Sequence, residues 1–211
     1  MPPPSGPAAP WIKICGITNL ADAELAIARG ASAIGLIFAP SKREVTVEQA
    51  IELVRPLRGR VEVVGVFKEL QSVRAVQEAV GLDRVQIHVP GDPGVGVPIL
   101  RALRPADLAQ AGAVPAREWI LIDGSEGRGL TFDWKLARAV TRPFVLAGGL
   151  TPDNVAEAIR VARPAGVDVT SGVELVPGRK DPAKLARFIA APPPVFAGQP
   201  PKRDQWRIRP A

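Results

Sequence analysis

The sequence predicts an α/β protein, a single (β/α)₈ barrel of the TIM type over residues 11–190. Short apolar, β-branched runs alternate with amphipathic helical segments, and strands that are separated by crossover helices form a parallel sheet. Eight such strands in a chain of this length close into a barrel. The runs lie at residues 11–15, 33–38, 61–67, 84–88, 97–102, 118–123, 143–149 and 166–172.

Several of the intervening segments carry helix-start signals. A capping-box pattern begins at Thr46, and the dipeptides Thr151-Pro152 and Asp181-Pro182 each combine an N-cap residue with a proline suited to the first helical turn. The crossover after the fourth strand is the exception, because residues 89–96 read VPGDPGVG and are too short and too rich in glycine and proline for a helix. We therefore expect the fourth helix to be reduced or missing.

The two ends of the chain differ from the barrel in composition. Residues 1–10 and 191–211 are rich in proline and lack helical or strand periodicity, so we expect a Pro-rich N-terminal extension and a Pro-rich basic C-terminal tail. Residues 1–10 contain neither the basic nor the apolar stretch of a secretory signal. No apolar run is long enough to span a bilayer, so we expect a cytoplasmic protein with no membrane partner.

Charge and cysteine content argue against several classes of partner and site. The net charge is +6, but four basic residues against one acidic residue lie in 191–211, and the barrel region is close to balanced. We therefore expect no nucleic-acid partner. Cys15 and His88 are the only cysteine and the only histidine, which excludes an internal disulfide and leaves no Cys- or His-rich metal site.

Reactive and polar side chains fall at the carboxyl ends of the strands, where a (β/α)₈ barrel builds its active site. Cys15 ends the first strand, His88 the fourth and Asp123 the sixth, and Asp168 lies in the eighth. Each also has a structural interpretation: a buried thiol acts as a small apolar residue, and a carboxylate after an apolar strand caps a turn. Arg43, in the loop after the second strand, is either a solvated side chain or a further residue of the predicted active site.

Two loops of small residues follow the seventh and eighth strands, where barrels of this type often bind a phosphate group. Gly148 and Gly149 allow backbone amides to approach an anion, and the helix after them adds its positive dipole end. Ser171 and Gly172 form the second loop. A simple glycine turn is the alternative, but two such loops side by side favour a phosphate site.

Several stretches resemble the phosphoribosylanthranilate isomerase family of tryptophan biosynthesis. They occur in family order from Lys13 to Asp181 and read KICGITN, GLIFAPSKREV, VGVF, VQIH, TFDW, LAGGLTPDNV, VDVTSGVE and PGRKD. The resemblance implies an enzyme that converts N-(5-phosphoribosyl)anthranilate into 1-(2-carboxyphenylamino)-1-deoxyribulose 5-phosphate by an Amadori rearrangement. It also implies general acid–base catalysis on a phosphorylated small molecule, without a cofactor or a metal.

The resemblance assigns roles to individual residues of this chain. Cys15 takes the position of the general base and Asp123 that of the general acid. Arg43 takes the position that meets the anthranilate carboxylate, while His88 and Asp168 match polar positions that line the substrate pocket. The phosphate-binding positions fall on Gly148, Gly149, Ser171 and Gly172.

Three other functions compete with this one. A different phosphate-binding barrel, such as an epimerase or an indoleglycerol-phosphate synthase, would need metal ligands or a lysine acid at other strand ends. A degenerate barrel would bind phosphorylated metabolites without turnover, and the fourth helix and the loop after Asp123 do depart from the family pattern. Nucleic-acid binding through the basic tail would weaken steeply with salt. The sequence leaves both a monomer and a homodimer open.

Overall fold

The computed structural model describes residues 11–124 and 131–191. The predicted N-terminal extension lies outside the described residues, as does the predicted tail after residue 191. Residues 125–130, which follow Asp123, are also outside them.

Eight parallel strands pair in chain order and close into a barrel through β1 and β8. They are β1 (Trp11–Cys15), β2 (Ala33–Ile37), β3 (Glu62–Phe67), β4 (Arg84–Ile87), β5 (Ile99–Leu103), β6 (Trp119–Asp123), β7 (Phe144–Ala147) and β8 (Gly166–Val169). The predicted barrel is confirmed. Strand β7 ends earlier than predicted because Gly148 takes a φ of 92° and turns the chain out of the strand.

The outer layer of the described chain is helical on one side and irregular on the other. Its α-helices are α1 (Leu20–Ala28), α2 (Val47–Val54), α3 (Val73–Val80), α4 (Val155–Ala162) and α5 (Pro182–Ala190). The connections after β5 and β6 hold 3₁₀ segments instead, at Pro105–Ala113 and Trp134–Ala139. Described residues 88–98, after β4, contain no helix, so the predicted loss of the fourth helix is confirmed.

The helix starts agree with the sequence at two predicted positions and differ at a third. Thr46 forms the capping box of α2, and the Asp181 side chain caps α5. Helix α4 begins at Val155, later than the start predicted after Thr151, although the Thr151 hydroxyl accepts from the Asp153 N–H at 3.3 Å. The Asn154 side chain accepts a hydrogen bond from the Thr151 N–H at 2.8 Å, and this closes a separate turn before the helix.

Aromatic and ion-paired side chains fill the amino end of the barrel interior. Side chains alternate along a strand, so every second residue of β1 from Trp11 onwards points inward. The rings of Trp11 and Trp119 lie 6.4 Å apart, centre to centre, beside an ion pair of 2.6 Å between Arg84 and Glu62. Because these side chains close the amino end, a ligand reaches the interior from the carboxyl ends of the strands.

A short β-hairpin after β8 was not predicted. Strands β9 (Glu174–Val176) and β10 (Arg179–Lys180) pair antiparallel. The Thr18 hydroxyl donates to the Gly178 carbonyl at 2.6 Å, and Lys180 Nζ donates to the Cys15 carbonyl at 2.6 Å. The hairpin therefore ties the segment after β8 to the carboxyl end of β1.

Candidate active site

The carboxyl ends of β6, β7 and β8 form a cleft. It is lined by Asp123, residues 147–150 and residues 168–171. Asp123 also lines a larger cavity of about 780 Å³, which runs past His88 and along β5 beside the connection where the fourth helix is missing. The structure thus brings Asp123, Asp168 and the predicted glycine loops together at one cleft.

Cys15 lies in the adjoining wall and is connected to the cleft through a buried ion pair. Lys13, on the same face of β1, is fully buried, and its Nζ donates to Asp168 Oδ2 at 3.0 Å. The register across β1 and β8 sets Lys13 opposite Asp168. Burial would lower the pKa of Lys13, but the Asp168 carboxylate and then the Cys15 sulfur outweigh burial and raise it above its ordinary value. Lys13 is therefore an ammonium held between a carboxylate and a thiol.

A glycine on β2 makes room for this arrangement. A Cβ on Gly35 would lie 2.8 Å from Cys15 Sγ and 3.0 Å from Lys13 Cε, so the two side chains meet over the same position. Asp168 is 6% exposed, and its Oδ1 has no hydrogen-bond partner among the described residues. Burial, the largest influence, raises the pKa of Asp168, while Lys13 opposes this rise and Asp123 adds to it. Asp168 Oδ1 therefore remains as an acceptor for a ligand.

Arg43 is engaged by a carboxylate of the protein. Its Nε and Nη2 donate to Glu174 over distances of 2.8 Å and 2.7 Å, and Lys180 Nζ donates to the same carboxylate at 3.0 Å. Burial would raise the pKa of Glu174, but Arg43 and Lys180 hold it below its ordinary value. The guanidinium fork expected to meet a substrate carboxylate thus faces Glu174. Within the described part of the chain, Arg43 Nη1 makes no hydrogen bond.

The two predicted phosphate loops lie against each other. Gly148 and Gly149 have φ values of 92° and 65°, in the left-handed region that favours glycine. A Cβ on Gly172 would lie 1.9 Å from the Leu150 carbonyl oxygen, so a larger residue fits there only if the backbone moves. The Asn154 side-chain amide donates to the Gly149 carbonyl at 2.9 Å and fixes the first loop. The loops form one continuous surface at the cleft.

His88 lies apart from the glycine loops, on the far side of Asp123. Its Nε2 is 2.8 Å from Gln86 Nε2, so its strand neighbour orients the imidazole ring. Gln86 is buried, and its Oε1 has no hydrogen-bond partner among the described residues. His88 lines the larger cavity rather than the cleft.

Sequence reasoning missed three buried charges of the site: Lys13, Glu174 and Lys180. A signal for Lys13 was present, because a lysine inside a buried strand, on the same face as Cys15, needs a partner. Glu174 and Lys180 gave no comparable signal. Nothing in their local pattern shows that a hairpin brings them to one another.

Among the described residues of the site, Lys13 pairs with Asp168, and Arg43 and Lys180 pair with Glu174. Within 11–124 and 131–191, no group of three or more His, Cys, Asp or Glu side chains is placed to hold a metal ion. In the same part of the chain, no helix has the length and apolar character needed to cross a bilayer.

An eight-stranded barrel with a thiol, two carboxylates and paired glycine loops at its carboxyl ends belongs to the class of (β/α)₈-barrel enzymes. The particular family follows from comparison with known proteins. A family model described as N-(5'-phosphoribosyl)anthranilate (PRA) isomerase matches residues 12–191. The chain belongs to this family.

Curated bacterial relatives and solved structures agree with the family model. The N-(5'-phosphoribosyl)anthranilate isomerase of Pelobacter propionicus is 42% identical over 196 residues, which cover 84% of this chain and 93% of that protein. The enzyme of the same name from Pseudomonas aeruginosa is 43% identical over 199 residues, which cover 85% of this chain and 93% of that protein.

Two crystal structures show the same fold. One is a phosphoribosyl anthranilate isomerase in complex with reduced 1-(o-carboxyphenylamino)-1-deoxyribulose 5-phosphate. It is 37% identical to this chain and aligns with a TM-score of 0.76 over 86% of this chain and 97% of that one. The other is the phosphoribosyl anthranilate isomerase from Thermus thermophilus, which is 34% identical and aligns with a TM-score of 0.77 over 86% and 97% of the two chains.

Proposed function

We propose that this chain converts N-(5-phosphoribosyl)anthranilate into 1-(2-carboxyphenylamino)-1-deoxyribulose 5-phosphate, an aldose–ketose isomerisation in tryptophan biosynthesis. One observation carries the proposal: Asp123 and the glycine loops share a cleft to which Lys13 and Asp168 connect Cys15. An acid, a base and an anion site at one mouth are what this reaction needs. The related structure that holds a reduced form of this product supports the same ligand class.

Asp123 acts as the general acid in this proposal. It gives a proton to the ribose ring oxygen, the bond between that oxygen and C1 breaks, and the ring opens to a protonated Schiff base. Asp123 lies half-buried at the end of β6 and lines both the cleft and the larger cavity. It can therefore reach the sugar of a substrate whose phosphate rests on the glycine loops.

Cys15 acts as the general base. The protonated Schiff base withdraws electrons from C2, so the C2 proton becomes acidic enough for a thiolate to remove. The electrons of the C2–H bond form the C1=C2 bond of an enolamine, and its tautomerisation gives the ketone at C2. Lys13 links the Cys15 side chain to Asp168, which lines the cleft.

The remaining site residues bind the substrate. Arg43 meets the anthranilate carboxylate through Nη1, since Glu174 occupies its other two donor positions. Asp168 accepts a hydrogen bond from a sugar hydroxyl through Oδ1, and His88 lines the mouth on the opposite side. The phosphate lies against Gly148, Gly149, Ser171 and Gly172.

The proposal extends to the setting of the enzyme. It works without a cofactor or a metal ion, in the cytoplasm, as a monomer or a homodimer, and without a nucleic-acid or membrane partner. These points rest on the composition of the chain and on the resemblance of its motifs to the family.

Two assays test the function together. The gene should restore growth without tryptophan to an auxotroph that lacks the isomerase, and the purified protein should convert N-(5-phosphoribosyl)anthranilate generated in situ. Chromatographic separation of the two isomers measures the conversion, and added chelator should leave its rate unchanged. Substrate binding without conversion would contradict the proposal and identify a binding barrel instead.

A further inference from the structure

Five ionisable side chains surround the thiol, and together with it they form what we call the thiol cluster: Cys15, Lys13, Arg43, Asp168, Glu174 and Lys180. The three cations are all electrostatically coupled to Cys15. All members except Arg43 are buried, and Arg43 has a side chain only 12% exposed. The thiol is therefore shielded from water and surrounded by fixed protein charges.

The charge of the thiol cluster depends on Cys15. Three cations face two carboxylates, so the cluster carries one net positive charge with a thiol and is neutral with a thiolate. Asp123 is electrostatically coupled to the cluster through Asp168, whose pKa it raises. Asp22 of α1 bonds the Lys180 backbone N–H and the Asn19 amide, and so does not pair with a cation of the cluster. A cation beside a thiol favours the charged form of the sulfur, so the loss of a cation from the cluster would disfavour that form.

Lys13 differs from the other two cations in what its charged atoms contact. Lys180 Nζ donates to the Cys15 and Thr170 carbonyls and to Glu174. Arg43 bonds Glu174 through two nitrogens. Lys13 Nζ has one oxygen partner among the described residues, Asp168 Oδ2, and its chain meets Cys15 Sγ over Gly35.

We propose that Lys13 is a positioning residue, whose ammonium, anchored by Asp168, stabilises the Cys15 thiolate and holds it towards the C2 proton of the substrate. This inference rests on the proposed function for the role of Cys15 as base. Lys13 itself takes no proton from the substrate. It acts through the sulfur, as cations next to reactive cysteines do in other proteins.

The chain has one cysteine, so alkylation by iodoacetamide reports on Cys15 alone. The experiment measures the alkylation rate at pH 7 in folded protein without substrate. Lys13→Met removes a cation from the cluster, and we expect its rate to fall at least tenfold. Asp168→Asn keeps the cation but removes its anchor, and we expect a smaller fall than in Lys13→Met. The matched control, Arg84→Met, removes a buried cation at the opposite end of the barrel and should stay within threefold.

Turnover adds a readout that a merely structural role would not move. We expect Lys13→Met to lower kcat at least tenfold while KM stays within threefold, and Lys13→Arg to recover part of the loss. Alkylation of folded Lys13→Met within threefold of the wild type would overturn the inference. Where Lys13→Met does not fold, Lys13→Gln decides, since it also removes the charge and its alkylation within threefold of the wild type would overturn the inference as well.

The two proposals can fail separately. If Cys15→Ser kept wild-type turnover, the role of Cys15 as base would be wrong and Lys13 would position nothing for catalysis. The alkylation rates need no substrate, so they would still show whether Lys13 stabilises the thiolate. Slow alkylation of Lys13→Met with unchanged kcat would overturn the positioning role and leave the isomerase function intact.

Discussion

Two sides of the barrel are built from the same strands but stabilised differently. On the side of β1, β8 and the β9–β10 hairpin, which we call the ionic side, buried charges of the thiol cluster link the strand ends. On the side of β4, β5 and β6, which we call the open side, a helix is missing, 3₁₀ segments replace two others and a cavity of about 780 Å³ remains.

The open side compensates for the missing helix with a single arginine. Arg101 of β5 pairs with Glu118 at 2.9 Å and donates to the carbonyls of Val89 and Gly91. Without Arg101, these two carbonyl groups would lack a hydrogen-bond donor from the protein, because the segment that contains them is irregular. Strands β4, β5 and β6 therefore remain paired on the open side although no helix follows β4.

The largest expected effect comes from replacing the proton-transferring residue on each side of the barrel. Cys15→Ser on the ionic side and Asp123→Asn on the open side should each lower kcat by about 10² to 10⁴, because each removes one proton transfer, with KM little changed. Steady-state kinetics on folded protein measures this. A Cys15→Ser enzyme within about threefold of wild type would mean that the thiol only fills space.

The next effect compares the stability of an ion pair from each side. Glu174→Gln leaves Arg43 and Lys180 without their buried counter-charge and should lower the free energy of unfolding by about 3–5 kcal/mol. Asp92→Asn breaks the exposed pair with Arg117 on the open side and should cost about 0–1 kcal/mol. Urea denaturation of the three proteins gives both values, and equal losses would remove the distinction between the sides.

A smaller effect comes from adding one methyl group to a glycine. In Gly172→Ala, the new Cβ meets the Leu150 carbonyl, so the backbone must shift at a cost of about 1–3 kcal/mol, and KM should rise more than kcat falls. Gly112→Ala on the open side is the matched control, since a Cβ there meets nothing within 4 Å. It should leave KM unchanged. An unchanged KM in Gly172→Ala as well would separate this loop from substrate binding.

The smallest expected effect is the pH dependence of the stability that Glu174 contributes on the ionic side. The pKa of Glu174 in the folded protein lies below its unfolded value of about 4.5, so its stabilising contribution is complete above pH 4.5 and is lost as the pH falls through the lower, folded value. The difference in Tm between wild type and Glu174→Gln should therefore be largest near pH 7 and shrink below pH 4.5. A difference that stays constant down to pH 3 would show that the carboxylate is not held in its charged form.

The sequence predicts the barrel well because each strand carries its own signal. The eight apolar runs and the Asp181-Pro182 cap depend on neighbours in the chain, and the same holds for the proline- and glycine-rich segment that replaces the fourth helix. Helix α4 starts later than predicted because residues 151–154 form a turn, in which the Thr151 carbonyl accepts from the N–H groups of Asn154 and Val155. The residue types alone do not distinguish this turn from a first helical turn.

The candidate site was predictable only in part, for a related reason. Cys15 and Asp123 could be assigned to the same end of the barrel from their strand positions. The engagement of Arg43 by Glu174 could not be predicted, since the two residues are 131 positions apart and meet only through the hairpin. A separation of 165 positions likewise conceals the contact between Lys180 and Cys15. Long-range pairing of charges leaves no periodic trace in a single sequence.

The contact between the first and last strands has a consequence for how activity arises during folding. Lys13 and Asp168 are 155 positions apart, and Lys180 and Cys15 are 165 apart. Closing such long loops is entropically slow, so contacts of this separation form late. A growing chain that still lacks β8 has the thiol but neither the carboxylate that anchors Lys13 nor the lysine that fixes the end of β1. Catalytic competence should thus arrive abruptly when the barrel closes, and enzymatic activity would serve as a sensitive reporter of the final folding step.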